Sequence, residues 1–179
     1  MRNIDKLLTE IIPPEDYQHR NGFGNEQIIL SLSGTEKKEV EKRLIEMLEK
    51  KNDTLIGESL VIMKSLSSLQ ALKRRLELTK NSSTKIMWAS FINEIKDGDE
   101  EMKIIALNEF ENVTEKYSKI LTFHYLSRFR DARINEKVKS YINDKDYLIA
   151  YNARTSIGIE TKDLLEIEET KRKSKWWQF

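Results

Sequence analysis

The chain lacks several residue types whose absence excludes whole classes of protein. Its 179 residues include no cysteine, only two prolines and only six glycines. Without cysteine the chain can form no disulfide, no thiolate metal site and no cysteine nucleophile. The scarcity of proline and glycine leaves little loop-forming material. Together with 39% hydrophobic and 34% charged residues, it indicates a helix-rich globular protein.

The chain also lacks an excess of one charge and a long apolar run. Lysine and arginine number 31 and aspartate and glutamate 30, which gives a net charge of +1. A dedicated nucleic-acid binder usually carries a clear basic excess, so this balance disfavours nucleic acid as the partner. No run of about eighteen apolar residues occurs, and the N-terminus lacks the apolar stretch of a secretory signal. We therefore predict no transmembrane segment and a cytoplasmic location.

What the chain does contain is a turn that recurs about every thirty residues. Four asparagines, separated by 29, 31 and 31 residues, each precede a Ser, Thr or Asp that can cap a helix: Asn52, Asn81, Asn112 and Asn143. The predicted N-caps are Asp53, Ser83, Thr114 and Asp146. Asparagine tolerates the left-handed conformation that ends many helices. Each site therefore predicts a tight turn between two helices, although four coincidental polar turns remain an alternative.

Apolar residues recur at fixed offsets from these predicted caps, which indicates helices that each bury one face. Three residues after the caps stand Ile56, Ile86, Tyr117 and Ile149. Seven residues after them stand Leu60, Ser90, Leu121 and Ala153, of which the polar Ser90 departs from the pattern, as expected of diverged repeats. The preceding helices are predicted over residues 35–51, 68–80, 99–111 and 133–142. The resulting helical hairpins span residues 35–66, 68–97, 99–130 and 133–158.

A period near thirty residues without any strand signal predicts stacked helical hairpins. We therefore expect an all-α fold, an α-solenoid of about four hairpins, in a single domain over residues 1–179. Within it, residues 1–34 form an N-terminal cap, 35–158 the repeat array, and 159–179 a C-terminal helix with a basic-aromatic tail. Such an array exposes a long ribbed surface suited to binding another macromolecule.

The last hairpin carries a resemblance to a known family. Its second helix opens with Asp146-Tyr147-Leu148-Ile149-Ala150-Tyr151-Asn152-Ala153, which resembles HEAT-like repeats. The resemblance covers residues 35–158. It implies a right-handed solenoid in which the second helices line an inner, concave groove. One departure is that the chain lacks the regular basic residue that many family members carry on the inner helix.

A second, fainter resemblance lies near the N-terminus. Residues 22–26 (GFGNE) followed by residues 32–38 (LSGTEKK) are similar to small bacterial HEAT-like proteins. Some of those proteins are thought to act as immunity proteins against the toxins of rival bacteria. The resemblance implies a bacterial protein that binds another protein, with a toxin domain as one such partner.

No motif for catalysis or metal binding emerges from the sequence. The two histidines, His19 and His124, have no partner histidine at metal-ligand spacing, and HExxH, GxSxG and Walker A motifs are absent. The acidic residues between Glu94 and Glu101 are most simply a solvated helix start. We therefore predict a protein that is not an enzyme and that needs no metal and no cofactor.

Aromatic and arginine side chains near the second helices are the candidate contact residues, because such side chains provide most of the strength of typical protein interfaces. The candidate protein-binding residues are Tyr117, His124, Arg128, Tyr147 and Tyr151. The cluster of Arg128, Arg130 and Arg133 has three open interpretations: a helix-dipole partner, a protein contact or a phosphate contact. Binding to DNA, or DNA repair, is therefore the alternative function. Oligomeric state is left open.

Two further basic segments have simpler interpretations. Lys73-Arg74-Arg75 is flanked by leucines on a predicted first helix, which indicates a solvated outer face. The C-terminal Trp176-Trp177-Gln178-Phe179 follows a basic run. We expect these aromatic residues to fold back on the last hairpin, with contact to a partner or to a membrane surface as the alternative.

Overall fold

A computed structural model describes residues 2–165 of the chain, and within this range the protein is all-α, with no strand. The α-helices are α1 (Ile4–Ile11), α2 (Tyr17–Arg20), α3 (Glu26–Leu30), α4 (Gly34–Lys50), α5 (Thr54–Ile62), α6 (Leu69–Leu78), α7 (Ser82–Ile95), α8 (Glu100–Phe110), α9 (Lys116–Ser127), α10 (Ala132–Lys139) and α11 (Tyr147–Ser156). A 3₁₀ turn spans Leu66–Ser68, and residues 162–165 are also helical. None of the helices in the described range is long and apolar enough to cross a membrane.

The predicted first helices agree closely with the structure. Helices α4, α6, α8 and α10 begin and end within about three residues of the predicted ranges. The described residues divide into two compact units. The first comprises residues 2–80 and 91–99, and the second comprises residues 81–90 and 100–165. Helix α7 is therefore divided between the two units. Its residues up to Ser90 belong to the second unit, and its residues from Phe91 onward belong to the first unit.

In the first unit α4 is the central helix, packing against α1, α5 and α6. It begins with a capping box in which the Ser33 hydroxyl accepts from the Glu36 backbone N–H and the Glu36 carboxylate accepts from the Ser33 backbone N–H. Its apolar residues recur every four positions, and Val40, Leu44 and Leu48 are fully buried. Such a stripe explains why a helix that is otherwise rich in Lys and Glu packs firmly on its neighbours.

The N-terminal segment of the first unit is tied down by polar contacts. Both carboxylate oxygens of Asp53 accept hydrogen bonds from the Arg20 guanidinium at 2.8 Å. Burial favours a raised pKa for Asp53, but the hydrogen bonds and charge of Arg20 outweigh it, and the pKa lies below its usual value. The buried Asn25 amide donates to the Ile11 carbonyl at 3.0 Å and to the Ser59 hydroxyl at 2.8 Å. Helix α3 is thereby fixed on α5.

The second unit is built around α10 and α9. Helix α10 packs against α8, α9 and α11, and α9 packs against α11. Three rings form an aromatic cluster, with centroids 5.9 Å apart for Phe110 and Phe123 and 5.6 Å apart for Phe123 and Tyr141. Helix α11 buries only the small side chains Ala150 and Ala153, which allows its backbone to approach its neighbours closely.

Two of the four predicted N-caps are confirmed and two are wrong. Asp53 and Asp146 cap α5 and α11 through their carboxylates. Helix α7 is capped not by Ser83 but by Asn81, whose side-chain oxygen accepts from the Thr84 backbone N–H at 3.0 Å. Helix α9 is capped not by Thr114 but by Glu115. The error arises because several polar residues stand together in each turn, and any of them has the chemistry of a cap.

Counting from the observed caps gives a more regular pattern than counting from the predicted caps. The residues seven positions after the observed caps are all fully buried: Leu60, Trp88, Thr122 and Ala153. The predicted caps place Tyr117 and Leu121 at offsets of three and seven, on a buried face. Both residues are exposed, because the true cap of α9 lies one residue later. The burial therefore follows helix register and not the asparagine spacing.

The left-handed residues also lie elsewhere than predicted. None of the four asparagines has a positive φ; the non-glycine residues in the described range that do are Lys64, Asp97 and Arg130, each 33 residues from the next. They follow α5, α7 and α9. At Lys64 the Ser65 N–H donates to the Leu60 carbonyl at 3.0 Å and the Lys64 N–H to the Val61 carbonyl at 2.8 Å. This is a Schellman motif, which satisfies the last carbonyls of a helix.

Candidate protein-binding face

One side of α9 and its C-cap residue carries a row of side chains that we call the α9 stripe: Tyr117, Leu121, His124 and Arg128. Their spacings of four, three and four residues place them on a single helical face. Tyr117 is 69% exposed and Leu121 is 50% exposed, His124 is exposed, and Arg128 is half-buried. Three of the five predicted contact residues therefore lie together.

Leu121 belongs to the stripe, although sequence reasoning assigns it to the core. The core is formed instead by residues on the other faces of α9, where Thr122, Phe123, Tyr125 and Leu126 are buried. A signal for the exposure of Leu121 is present in the sequence. When the positions of α9 are counted from Glu115 instead of Thr114, Phe123 and Leu126 are the apolar residues on the buried face, which includes the ring of the aromatic cluster. Leu121 and Tyr117 then lie on the opposite side.

Two contacts within α9 involve residues at the base of the stripe. The His124 ring meets the buried Tyr125 ring edge-on, with centroids 5.2 Å apart and an interplanar angle of 72°. The Thr122 hydroxyl donates to the Ser118 carbonyl at 2.7 Å within the helix. A side chain that is already in contact with its neighbours loses less conformational entropy when a partner covers it, which favours binding.

Electrostatic contacts fix the N-terminal end of α9. The Glu115 carboxylate accepts from the backbone N–H groups of Ser118 at 2.7 Å and Tyr117 at 3.0 Å, and these bonds lower the pKa of Glu115. Lys116 Nζ lies 2.6 Å from the Asp146 carboxylate, which caps α11. The hydrogen bond with Asp146 raises the pKa of Lys116. The first turns of α9 and α11 are thus joined.

The other two predicted contact residues lie on α11. The rings of Tyr147 and Tyr151 contact each other, with centroids 5.8 Å apart, and both residues are half-buried. Counted from the cap of each helix, the positions of α11 that correspond to Tyr117, Leu121 and His124 are Leu148, Asn152 and Thr155. Leu148 and Thr155 are exposed. The two tyrosines of α11 are therefore one position out of register with the α9 stripe.

The basic clusters are largely engaged in contacts within the protein. The Arg133 guanidinium reaches Glu100 at 2.6 Å and Asp131 at 2.8 Å. The hydrogen bond from Arg133 is the main reason why the pKa of Asp131 falls to about 2. Of the Lys73-Arg74-Arg75 cluster, Arg74 pairs with Glu49 and Arg75 donates to the Leu48 carbonyl at 2.6 Å. These arginines are not aligned as a row of cations available to phosphates.

The arrangement is suited to non-covalent recognition. Between residues 2 and 165, no group of three or more histidine, aspartate or glutamate side chains is arranged to hold a metal ion. The α9 stripe combines a phenol ring, an aliphatic side chain, an imidazole and a guanidinium on about three turns of one helix, a composition typical of protein-contact surfaces.

The predicted role of the C-terminal aromatic residues concerns residues 176–179, which lie outside the described residues, as does part of the last predicted helix. In comparisons with known proteins, no family model, no curated protein and no solved structure matches the chain.

Proposed function

We propose that this protein is a non-enzymatic module that binds another protein through the α9 stripe. The observation that carries the proposal is the exposure of Tyr117 and Leu121 on a helix whose other faces already bury Phe123 and Leu126. The two side chains stand four residues apart on the same helical face, and adjoining exposed apolar side chains that form one patch are typical of a binding surface.

We also propose that α4 to α11 form an α-solenoid of about four HEAT-like hairpins. Two regularities support this arrangement. The left-handed residues Lys64, Asp97 and Arg130 recur every 33 residues. The residue seven positions after each observed cap of α5, α7, α9 and α11 is fully buried. In such an array the stripe lies on a second helix, the helix type that lines the groove in the HEAT-like family.

Within this function we propose neutralisation of a bacterial toxin domain in the cytoplasm as the specific case. Support comes from the resemblance of residues 22–26 and 32–38 to small bacterial HEAT-like proteins and from the absence of cysteine. An immunity protein acts by covering a surface of its target, and a face already formed by a regular helix such as α9 reduces the conformational entropy lost on binding.

DNA binding is the competing function, and the paired arginines count against it. A DNA-binding groove needs several cations that can release counterions from phosphates. Arg133, Lys116 and Arg74 are instead held by carboxylates. Retention on a heparin column that falls steeply between about 50 and 200 mM salt would support DNA binding. Elution near the column volume at low salt would support the protein-binding function.

The direct test is affinity capture with matched variants. Immobilised wild type, Tyr117→Ser/Leu121→Ser, and the control Tyr17→Ser/Leu30→Ser are exposed to extract of the organism that encodes the protein. The control changes the same residue types at positions 78% and 63% exposed in the first unit. We expect wild type and control to retain the same protein and the stripe variant to lose it. Equal capture by all three would refute the α9 stripe as the binding face.

A further inference from the structure

We infer that one face of α11 is a docking site for residues 176–179 of the same chain. We call it the α11 face and define it by Tyr147, Tyr151 and Arg154. Its occupant is the aromatic segment Trp176-Trp177-Gln178-Phe179, which the sequence predicts to fold back on the last hairpin. The inference names the receiving surface. It goes beyond the proposed function, because no residue of the α9 stripe takes part in it.

The residues of the α11 face are four and three positions apart, which places them on a single side of the helix. The rings of Tyr147 and Tyr151 contact each other, with centroids 5.8 Å apart. All three residues are half-buried, and the residues that α11 does bury are Ala150 and Ala153. The aromatic side chains of this helix therefore keep part of their surface in water, where further rings can pack on them.

The chain turns back toward this face directly after α11. The Ile159 N–H donates to the Arg154 carbonyl at 2.9 Å and the Gly158 N–H to the Thr155 carbonyl at 3.2 Å, with a φ of 74° at Gly158. This Schellman motif ends the helix. The Asp163 carboxylate then accepts from the Arg154 guanidinium at 2.6 and 2.8 Å. The residues that follow the turn therefore lie against the α11 face.

The aromatic segment is within reach of the two tyrosines. Leu165 stands two residues after Asp163 and is 43% exposed, and Trp176 stands eleven residues after Leu165. Eleven residues span about 16 Å as a helix and about 36 Å when extended. Helix α11 has ten residues and is therefore about 15 Å long. The linking residues can thus bring the aromatic segment to any part of the α11 face.

The chemistry of the segment suits the face. Three of the four residues 176–179 are aromatic, against 8% of the whole chain. Their rings gain from edge or offset contacts with tyrosine rings and from lying on a guanidinium such as that of Arg154. Residues 160–169 include five carboxylates, and residues 170–175 include four cations and no carboxylate. The cations that precede the rings therefore have opposite charges nearby when the segment returns to α11.

A segment of the same chain has an advantage over a separate molecule at this face. A short tether gives the rings an effective concentration on the order of 1 mM beside α11. A second copy of the chain or another protein that makes the same contacts must reach that concentration to compete. The tether is the reason for assigning the face to residues 176–179.

Tryptophan fluorescence of the full chain tests the inference. The chain contains three tryptophans, and Trp88 is fully buried. The variant Trp176→Phe/Trp177→Phe reports Trp88 alone, so its difference from wild type isolates the other two. We expect Trp176 and Trp177 to emit at shorter wavelength than free N-acetyltryptophanamide and to be protected from quenching by acrylamide. Quenching equal to that of N-acetyltryptophanamide would overturn the inference.

The receiving rings are removed by Tyr147→Ser/Tyr151→Ser. We expect this variant to shift the tryptophan emission to longer wavelength and to increase quenching by acrylamide. The matched control is Tyr17→Ser/Tyr117→Ser, which removes two tyrosines that are 78% and 69% exposed. We expect the control to leave both signals unchanged. Equal signals in the two variants would contradict docking on the α11 face.

A change in the docking segment keeps the test valid if loss of the two tyrosines unfolds α11. Trypsin cleaves after lysine and arginine, and four such residues stand directly before the aromatic segment. We expect cleavage within residues 171–175 to be about fivefold faster in Trp176→Ser/Trp177→Ser than in wild type, because cleavage follows the undocked population. Trp176→Phe/Trp177→Phe keeps two aromatic rings and should stay close to the wild-type rate. Equal rates in all three chains would refute the docking.

Three further results would assign the segment to another occupant or surface and so overturn the inference. Release of the tryptophans by Tyr117→Ser/Leu121→Ser would place the segment on the α9 stripe. Protection that is lost on about hundredfold dilution would show that a second copy supplies it. Protection that appears only with phosphatidylglycerol vesicles would show a membrane surface. The proposed function is decided separately, by whether Tyr117→Ser/Leu121→Ser loses the captured protein.

Discussion

Helices α5 and α9 both begin directly after a carboxylate cap, yet their surroundings differ completely. Every residue of α5 is buried or half-buried, and α3 packs against it through the hydrogen bond from Asn25 to Ser59. Ser59 is the sixth residue after its cap, and the sixth residue after the cap of α9 is Leu121, which is 50% exposed. The first unit thus covers with its own chain a position that the second unit leaves in water.

This contrast separates structural from functional apolar residues in the protein. A buried leucine on α5 is explained by its neighbours in the same unit. Tyr117 and Leu121 on α9 have no such explanation, because the faces that carry Phe123 and Leu126 already fill the core. If the contrast is correct, substitutions on the buried and exposed sides of these helices should change stability by very different amounts.

The largest effect is expected from Phe123→Ala. Phe123 is fully buried and contacts the rings of Phe110 and Tyr141. Removing the ring leaves a cavity and should lower the free energy of unfolding by about 3–5 kcal/mol. Urea unfolding followed by circular dichroism measures the change. A loss as small as that of Leu121→Ala, the exposed control two residues away, would mean that the two faces of α9 are wrongly assigned.

Asp53→Ala should have the next largest effect. The carboxylate caps α5 and pairs with Arg20, and its side chain is 5% exposed. Losing it leaves a partly buried guanidinium unpaired, so we expect a loss of about 3 kcal/mol in the free energy of unfolding. Glu115→Ala removes the corresponding cap of α9, whose carboxylate accepts mainly from backbone N–H groups, and should cost clearly less. Equal losses in the two variants would contradict the special role of Arg20.

A smaller effect should appear in the pH dependence of the second unit. The pKa of Asp131 in the folded protein is about 2, mainly because Arg133 donates hydrogen bonds to it, against an ordinary value of 3.8. Since the folded pKa is the lower one, this stabilisation is complete above pH 3.8 and is lost as the pH falls toward 2. Wild type and Asp131→Asn should therefore differ in unfolding free energy at pH 7 and converge near pH 2. A difference that does not change with pH would contradict this.

The smallest effect on stability is expected from Tyr117→Ser/Leu121→Ser. Both residues are exposed, so the free energy of unfolding should change by no more than about 0.5 kcal/mol for each substitution. The same double variant should lose its captured partner. Thermal unfolding measured beside affinity capture separates the two effects. A large loss of stability would show that the α9 stripe belongs to the core, in the manner of α5.

Much of the helix order could be predicted from the sequence because apolar periodicity fixes it. Helix α4 shows this best, since Val40, Leu44 and Leu48 recur every four residues and Ser33 with Glu36 marks the start. Exact caps were less predictable. Asn81 and Ser83 are both good caps, and only the fold decides between them. A Glu at the N-cap of α9 is outside the usual preference, which shifts the predicted register of that helix by one residue.

The candidate site could be predicted only in part, because the predicted register of α9 is one residue off. Tyr117, His124 and Arg128 could be identified because aromatic and arginine residues are recognisable in any register. Leu121 is assigned to the core by sequence reasoning, because it stands seven residues after the predicted cap Thr114, on the face expected to be buried. Its exposure depends on which residues of α9 the aromatic cluster of Phe110 and Tyr141 accepts, and those contacts join segments distant in the sequence.

The left-handed residues Lys64, Asp97 and Arg130 have a consequence for engineering. Glycine at these positions would remove the crowding of a Cβ atom and stabilise the folded state by about 1 kcal/mol. It would also raise the conformational entropy of the unfolded chain, which stabilises the unfolded state by a similar amount. These positions can therefore accept glycine, asparagine or aspartate at almost no net change in stability. They offer three sites, 33 residues apart along the chain, where a charge can be removed without disturbing the core.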